Sequence, residues 1–297
     1  MAALPPLRSL LYAPGNNSRL LEKVFTTAAD AVVLDLEDSV PPSEKGRARM
    51  LVSEVLEGRG EGPRPVVFVR INHPETGLTH EDVDAVVRRG VHALRLPKVE
   101  TPETVLQIHE WVAAAEARQG LPAGSLAFMC GVETAAGVWR ALEIARAHPR
   151  VGWLSFGGVD FVRDLGLRPG PDGLETLYAR SRVVMASRAA GIKPPLDSVY
   201  PHLKDAEGLE RSTRQGRALG FFGRSAIHPS QVGIINDVYT PSAEEVEWAR
   251  GVVEAAREAE STGTGSLKLP TGEFVDAPVV RRAEGLLRLH EALSARG

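Results

Sequence analysis

The chain has 297 residues, 43% of them hydrophobic, and a formal net charge of −3. This is enough for a buried core, and the charge argues against a nucleic-acid partner. The single cysteine, Cys130, excludes an internal disulfide and a cysteine-rich metal site and fits a reducing compartment. No secretory signal pattern and no run of about 18 apolar residues is found, so the sequence predicts a soluble cytoplasmic protein without membrane association.

Short apolar runs alternate with amphipathic segments along the chain. Eight runs are predicted strands: 9–14, 31–36, 65–71, 93–99, 126–132, 151–156, 194–200 and 223–227. The seventh is the weakest because proline cannot donate a ladder hydrogen bond. Eight strand–helix units predict an α/β protein with a (β/α)8 TIM barrel. An open doubly wound sheet is the alternative, but the glycine-rich phosphate loop expected after its first strand is absent.

The last part of the chain has a different pattern from the rest. We place the catalytic barrel at residues 1–260 and a C-terminal extension at 261–297. The extension begins with a Gly/Thr linker, continues with a possible hairpin at 267–275, and ends in an amphipathic helix at 281–295. Because it follows the barrel, we expect it to be free to cover the barrel mouth or the active site of a neighbouring subunit.

Two carboxylates follow consecutive strands in this arrangement. Glu133 ends the fifth strand region and Asp160 follows the sixth. The carboxyl ends of parallel strands lie on the same side of a sheet, so both side chains can point into one pocket and hold Mg²⁺. The structural alternative is that Glu133 caps the next helix and Asp160 is an ordinary loop acid.

Other polar residues lie at or just after the carboxyl ends of the predicted strands, where barrel active sites lie. They are Asn16, Asp35, Glu37, Asp38, Arg70, Asn72, Lys98, Tyr200 and His228. The planar fork of Arg70 suits a substrate carboxylate. One of the three acids is expected to pair with Arg70 or Lys98, and another to orient a water beside the metal. An ion-pair layer that closes the barrel is the competing interpretation, and His228 is expected to hold a turn.

The sequence resembles the citrate-lyase-like branch of the HpcH/HpaI aldolase family. The motifs that carry this resemblance are RSLLYAPGNN, ADAVVLDLEDSVPPSEKGRAR, VRIN, LRLPKVE, GVETAAGV, LSFGGVDF, LYARSRVV, DSVYP, ALGFFGRSAIHPSQV and TPSAEEVEWAR. They occur in order from Arg8 to about Arg250. The resemblance implies a TIM barrel that is often trimeric, so a homotrimer is expected.

The resemblance also implies roles for individual residues. Glu133 of GVET and Asp160 of GGVD would hold Mg²⁺, and Arg70 of VRIN would bind the carboxylate of an oxo acid. Lys98 and Glu133 are counted with Arg70 as substrate-binding residues. GEFVDAP is similar to a region that donates an aspartate across a subunit interface in relatives acting on CoA esters, which would be Asp276 here.

The implied reaction is cleavage of a β-hydroxy acyl thioester of the citryl type to oxaloacetate and an acetyl thioester. Asp35 or Glu37 would take the hydroxyl proton through a water molecule, and Asp276 would protonate the thioester enolate. The thioester could be on CoA or on an acyl carrier, with acyl-carrier and transferase subunits as further partners. A stand-alone malyl-CoA or citramalyl-CoA lyase, a malate-forming relative and a non-catalytic scaffold subunit are the alternatives.

Overall fold

A computed structural model describes residues 4–59, 65–170, 172–262, 267–268 and 274–295 of the chain. The chain forms two compact units, Met1–Asp237 and Val238–Gly297. Among the described helices, none combines the length and apolar character needed to cross a membrane.

The first unit is an α/β fold built on one curled sheet of seven parallel strands. The strands are β1 (Ser9–Pro14), β2 (Ala31–Asp35), β3 (Val66–Arg70), β4 (Ala93–Leu96), β5 (Ala127–Val132), β6 (Val151–Phe156) and β7 (Arg224–Ala226). Their spatial order is β6-β5-β4-β3-β2-β1-β7. Since consecutive parallel strands need a crossover, each is connected to the next through helical segments, and all the carboxyl ends lie at one edge.

Helices lie between and after these strands. They are α1 (Ser18–Val24), α2 (Lys45–Arg59), α3 (Thr79–Val86), α4 (Pro102–Arg118), α5 (Ala135–Trp139), α6 (Ala141–Arg146), α7 (Gly158–Asp164), α8 (Leu177–Ala190), α9 (Ala206–Leu219) and α10 (Pro229–Tyr239). The side chain of Thr101 caps α4 by accepting the N–H of Thr104 at 3.3 Å. Gly220 ends α9 in the left-handed conformation that glycine adopts without a steric cost.

Alternate residues of the strands point to the same side of the sheet and build the core. This core includes Leu10, Val33, Phe68, Met129, Trp153 and Leu196, all buried. A charged row, Asp35–Arg70–Arg95, continues the same alternation toward the carboxyl ends of β2, β3 and β4, and its members are register partners. The apolar core therefore ends at a layer of buried charge.

The predicted seventh strand, 194–200, is not a strand in the structure. Leu196 forms an isolated parallel bridge with Ser155 of β6, and Asp197 forms one with Arg224 of β7. Leu196 donates to Leu154 at 3.1 Å and accepts from Phe156 at 2.9 Å. Two consecutive prolines precede Leu196 and supply no N–H donors, which keeps this segment from forming a continuous ladder.

The second unit contains two helices and a short hairpin. They are α11 (Ala243–Thr262), the antiparallel pair β8 (Leu267–Lys268) and β9 (Phe274–Val275), and α12 (Ala277–Ser294). Its buried core consists of Ala249, Val252, Val275 and Ala283. The predicted hairpin is found here, although its turn and most of the predicted linker lie outside the described residues. Helix α11 belongs to this unit, whereas the sequence analysis placed it with residues 1–260.

Candidate active site

A cavity of about 310 Å³ lies at the carboxyl ends of the parallel strands. Its lining comes from the ends of β1, β2, β3 and β6, from β4 and β7, and from the segments that follow β5 and β6. The charged and hydroxyl-bearing residues that line it are Tyr12, Asp35, Ser39, Arg70, Arg95, Glu133, Asp160, Ser198 and Ser225. Four predicted site residues, Asp35, Arg70, Glu133 and Asp160, thus meet around one space.

Arg70 is held in place by two carboxylates. Its Nε and Nη2 each donate to Asp35 at 2.6 Å, which is the bidentate geometry that a guanidinium favours. Its Nη1 lies 2.8 Å from Oε2 of Glu37. These contacts fix the orientation of the guanidinium, and the residue stays 12% exposed toward the cavity.

Both oxygens of Asp35 are fully engaged. Besides Arg70, Oδ1 accepts the N–H of Glu37 at 3.0 Å, and Oδ2 accepts the hydroxyl of Ser39 at 2.5 Å. Burial opposes ionisation of this carboxyl, but the charge and hydrogen bonds of Arg70 and Ser39 outweigh it and lower the pKa of Asp35. Asp35 is therefore a stable anion that orients Arg70.

Glu37 and Lys98 form an ion pair beside Arg70. Lys98 Nζ donates to Oε1 of Glu37 and, at 3.0 Å, to Asp38. Burial raises the pKa of Glu37, while for Lys98 the bonds to Glu37 and Asp38 outweigh burial and raise the pKa of the ammonium. Among the described residues that line the cavity, neither Glu37 nor Lys98 occurs, so the predicted role of Lys98 in substrate binding stays a prediction.

Glu133 is a nearly fully buried carboxyl at the end of β5, with 2% of its surface exposed. Two glycines make room for it. A Cβ on Gly157 would lie 2.8 Å from the carboxyl carbon of Glu133, and one on Gly131 would lie 3.1 Å from it. Burial raises the pKa of Glu133, and the nearby Arg95 lowers it only in part. The helix that follows is capped by Thr134, which accepts the N–H of Gly137, so Glu133 is not a helix cap.

Asp160 lies in the first turn of α7, where helix geometry favours an acid. Its carboxylate is 2.8 Å from Arg163, which is mostly exposed, and is itself 21% exposed. Its charge is close enough to Glu133 to raise the pKa of that residue further. Two acids that repel each other in one cavity fit a divalent cation, and Mg²⁺ takes one or two protein carboxylates together with substrate and water. The described residues contain no cluster of three such acidic, histidine or cysteine ligands.

Arg95 is a cavity residue that the sequence analysis did not single out. It lies in the middle of β4, with its Nη2 3.6 Å from Glu133 Oε1. The ring of Tyr12 packs against both guanidinium groups, 5.1 Å from Arg70 and 5.5 Å from Arg95. The signal was present as a charge at an inward-facing position of an apolar strand, but the prediction took its site residues only from the carboxyl ends of the strands.

Two other predicted residues have structural contacts. Asp276 is the N-cap of α12 and accepts the N–H of Val279 at 3.2 Å. His228 accepts the N–H of Ser230 at 3.2 Å, which holds the turn before α10 as expected.

The sequence matches the HpcH/HpaI aldolase/citrate lyase family over residues 8–229. It is 38% identical over 285 residues to citrate lyase subunit beta of Leuconostoc mesenteroides subsp. cremoris, covering 96% of this chain and 93% of that protein. It is also 32% identical over 300 residues to mitochondrial citramalyl-CoA lyase of Homo sapiens, covering 96% and 85%.

Solved structures show the same similarity. The protein CitE of Mycobacterium tuberculosis, in complex with magnesium, acetoacetate and coenzyme A, has a TM-score of 0.78 and 30% identity and covers 98% of this chain and 100% of that one. A citrate lyase beta subunit from the same organism, complexed with oxaloacetate and magnesium, has a TM-score of 0.66 and 28% identity, covering 80% and 98%. On its sequence and its fold, the chain belongs to the HpcH/HpaI aldolase/citrate lyase family.

Proposed function

We propose that the protein is a Mg²⁺-dependent carbon–carbon lyase. It cleaves a β-hydroxy acyl thioester of the citryl type to oxaloacetate and an acetyl thioester. The observation that carries the proposal is that Glu133 and Asp160 line one cavity with an arginine that is fixed for carboxylate binding. The relatives named citrate lyase and citramalyl-CoA lyase support the same reaction class.

Glu133 and Asp160 would hold the cation, which when bound polarises the oxygens of the substrate hydroxyl and carboxylate. Arg70 binds that carboxylate and fixes the carbon–carbon bond relative to the acids. The hydroxyl loses its proton, the bond breaks to an oxo acid and a thioester enolate, and the enolate carbon takes up a proton. Atoms and charge balance without a further reactant.

The base is assigned among the two acids expected for this step. Asp35 has a lowered pKa and both oxygens engaged, so we assign it to the orientation of Arg70. Glu37 has a raised pKa, so it can exchange a proton nearer to neutral pH, and it would act through a water molecule. Asp276 remains the candidate that protonates the enolate.

We also propose how the barrel closes and how the chain assembles. The bridges of Leu196 to β6 and of Asp197 to β7 support the proposal that this segment takes the position of the eighth strand and closes a (β/α)8 barrel. The C-terminal segment then covers the active site of a neighbouring subunit in a homotrimer and supplies Asp276. The protein acts in the cytoplasm on a CoA or acyl-carrier thioester, and acyl-carrier and transferase subunits are candidate partners.

Citramalyl-CoA cleavage to pyruvate is the second candidate function. It is favoured by the similarity to human citramalyl-CoA lyase over 96% of the chain. The two substrates differ by one carboxylate, because citramalate carries a methyl group where citrate carries a carboxymethyl group.

A direct assay tests the proposed function. The purified protein is incubated with citryl-CoA and Mg²⁺, and the oxo acid and acetyl-CoA are measured. We expect turnover that a chelator abolishes and that Glu133→Gln or Asp160→Asn reduces by more than about 100-fold. Glu103→Gln, at an exposed acid of the same unit, is the control and should keep full activity. Undiminished turnover by Glu133→Gln in chelator-treated buffer would refute the proposal.

A further inference from the structure

The guanidinium of Arg95 is buried and only weakly bonded. The residue is 5% exposed. Its Nε has no hydrogen-bond partner among the described residues. Its Nη1 reaches only the thioether of Met129, at 3.6 Å, and its Nη2 lies 3.6 Å from Glu133, beyond a good hydrogen bond.

Arg70, its register partner on the neighbouring strand, is in the opposite situation. Arg70 has three short contacts to two carboxylates, Asp35 and Glu37. Both guanidinium groups line the same cavity and pack on the ring of Tyr12. The side chains therefore differ in what they can still bind: Arg70 has only its remaining N–H groups for a ligand, whereas Arg95 has donors without acceptors.

A buried cation with unsatisfied donors is costly unless something pairs with it. The partner that fits a guanidinium is a planar carboxylate, which accepts two parallel hydrogen bonds. No described side chain supplies such a pair, while the cavity gives a small ligand access to Arg95. The missing acceptor is thus expected on the substrate.

We propose that Arg95 binds the second free carboxylate of the substrate and thereby selects thioesters whose oxo-acid product is a dicarboxylate. This inference rests on the proposed function. Citryl thioesters carry two free carboxylates, and citramalyl thioesters carry one. Arg70 takes the carboxylate next to the hydroxyl, together with the cation that Glu133 and Asp160 would hold. Arg95 takes the carboxymethyl group that citramalate lacks.

A different role for Arg95 makes a different prediction. If Arg95 serves only to hold Glu133 ionised, its removal raises the pKa of Glu133 and weakens cleavage of both substrates equally. If it binds the second carboxylate, its removal weakens cleavage of the substrate that has one more than cleavage of the substrate that lacks it. The ratio of kcat/KM for the two substrates separates these roles, and each variant is its own control.

The experiment compares the wild type, Arg95→Met and Arg95→Lys with citryl-CoA and citramalyl-CoA at saturating Mg²⁺. Arg95→Met should lower kcat/KM for citryl-CoA by roughly 10² to 10³-fold, the loss expected when a buried charge pair loses one partner. The loss for citramalyl-CoA should be at least about tenfold smaller, because that substrate has no second carboxylate to bind. Arg95→Lys keeps the charge but loses the fork, so its loss for citryl-CoA should be intermediate.

Equal losses with both substrates, or a wild type that prefers citramalyl-CoA, would overturn the inference and leave the lyase assignment intact. If Arg95→Met does not fold, an unchanged substrate ratio in Arg95→Lys overturns it. A wild type that cleaves neither substrate would instead refute the proposed function. Calorimetric titration with oxaloacetate and pyruvate then decides the inference, because only oxaloacetate binding should weaken in Arg95→Met, and equal weakening or none contradicts it.

Discussion

Two arginines of the same row show how surroundings decide what a residue can do. Arg70 and Arg95 are register partners on neighbouring strands and share the ring of Tyr12. Arg70 is paired with Asp35 and Glu37 in contacts of 2.6–2.8 Å, while the nearest carboxylate oxygen to Arg95 is at 3.6 Å. The guanidinium of Arg70 is therefore held in one orientation by protein carboxylates. The guanidinium of Arg95 would gain more hydrogen bonds from a bound carboxylate ligand.

The sequence revealed the first of these arginines but not the second. It predicted that Arg70 would reach the site and that one of three acids would pair with it or with Lys98. The structure assigns Asp35 to Arg70 and joins Glu37 and Asp38 to Lys98. Such pairings depend on the positions of side chains on neighbouring strands. The spacing of residues along the chain does not specify these positions.

Glu133 should make the metal-free protein less stable at neutral pH. Burial raises the pKa of this carboxyl above its usual 4.5. The stability that its neutral form contributes is present below that pH and is lost as the pH rises through the folded pKa. We expect Glu133→Gln, without Mg²⁺ at pH 7, to be more stable than the wild type by roughly 1 kcal/mol, measured by urea unfolding.

Added Mg²⁺ should reverse this order, because a ligand stabilises only the state that binds it. The wild type should gain melting temperature with Mg²⁺, and Glu133→Gln should gain little. The gain in the wild type should shrink as the pH falls toward the raised pKa, since protons compete with the cation. A variant that is less stable than the wild type at pH 7 without metal would contradict the assigned cause.

Asp35 is expected to act on KM rather than on kcat. Asp35→Asn leaves a side chain of the same shape but weakens the pair that orients Arg70, so KM should rise by about 10- to 100-fold with kcat changed by less than about threefold. A base in the same position would instead lower kcat by roughly 10² to 10⁴-fold. Ser39→Ala is the matched control, because it removes one hydrogen bond to the same carboxylate and should have a much smaller effect.

At the scale of elements, the strands were predicted well where their burial is uniform. The first six predicted runs each coincide with a strand to within three residues at either end, because continuous apolar runs mark strands buried on both faces. The exception is the segment around Leu196, whose prolines leave only isolated bridges. The short helices α5 and α6 were predicted as one amphipathic segment, since Arg140 interrupts the helix without a sequence signal such as proline.

The turn from β6 into α7 should require glycine because of Glu133. Gly157 has an ordinary φ of −101°, so the constraint is space and not backbone conformation. A Cβ there would overlap the side chain of Glu133, at 2.8 Å from its carboxyl carbon. We expect Gly157→Ala to displace that carboxylate and weaken Mg²⁺ binding by at least about 10-fold in a calorimetric titration.

Gly152→Ala, on the strand β6 that precedes this turn, is the matched control for this prediction. A Cβ at Gly152 would meet its nearest neighbours at 3.9 Å, an ordinary contact. Mg²⁺ affinity in Gly152→Ala should therefore equal that of the wild type. Unchanged affinity in Gly157→Ala would show that the carboxylate of Glu133 is not needed where the structure places it.

At the scale of the whole molecule, the sequence predicts a barrel at 1–260 and an extension at 261–297, whereas the chain divides into the compact units Met1–Asp237 and Val238–Gly297. Helix α11 is amphipathic like the helices of the first unit, and nothing in its pattern tells which core it packs on. In the structure it belongs with α12 around Val252 and Val275. Which helices pack together depends on tertiary contacts, so the periodicity of the sequence alone did not reveal that α11 packs with α12.

Asp276 is the residue through which the second unit is proposed to act, and its role in a neighbouring subunit can be tested by complementation. Asp276→Asn suits this test because asparagine caps a helix about as well as aspartate but cannot donate a proton. This variant and Glu133→Gln should each be nearly inactive. In a mixed trimer, a site with the barrel of the first variant and the C-terminal segment of the second has both residues intact.

Co-expression of the two variants with different tags, followed by purification through both tags, yields the mixed oligomers. In each mixed trimer about one third of the sites combine an intact barrel with an intact neighbouring segment, so about one third of the wild-type rate should return. Two copies of the same variant give no such sites and provide the baseline. If Asp276 acted on its own chain, the mixed oligomers would be no more active than that baseline, because no chain carries both residues. If Asp276 had only its capping role, Asp276→Asn alone would keep the wild-type rate.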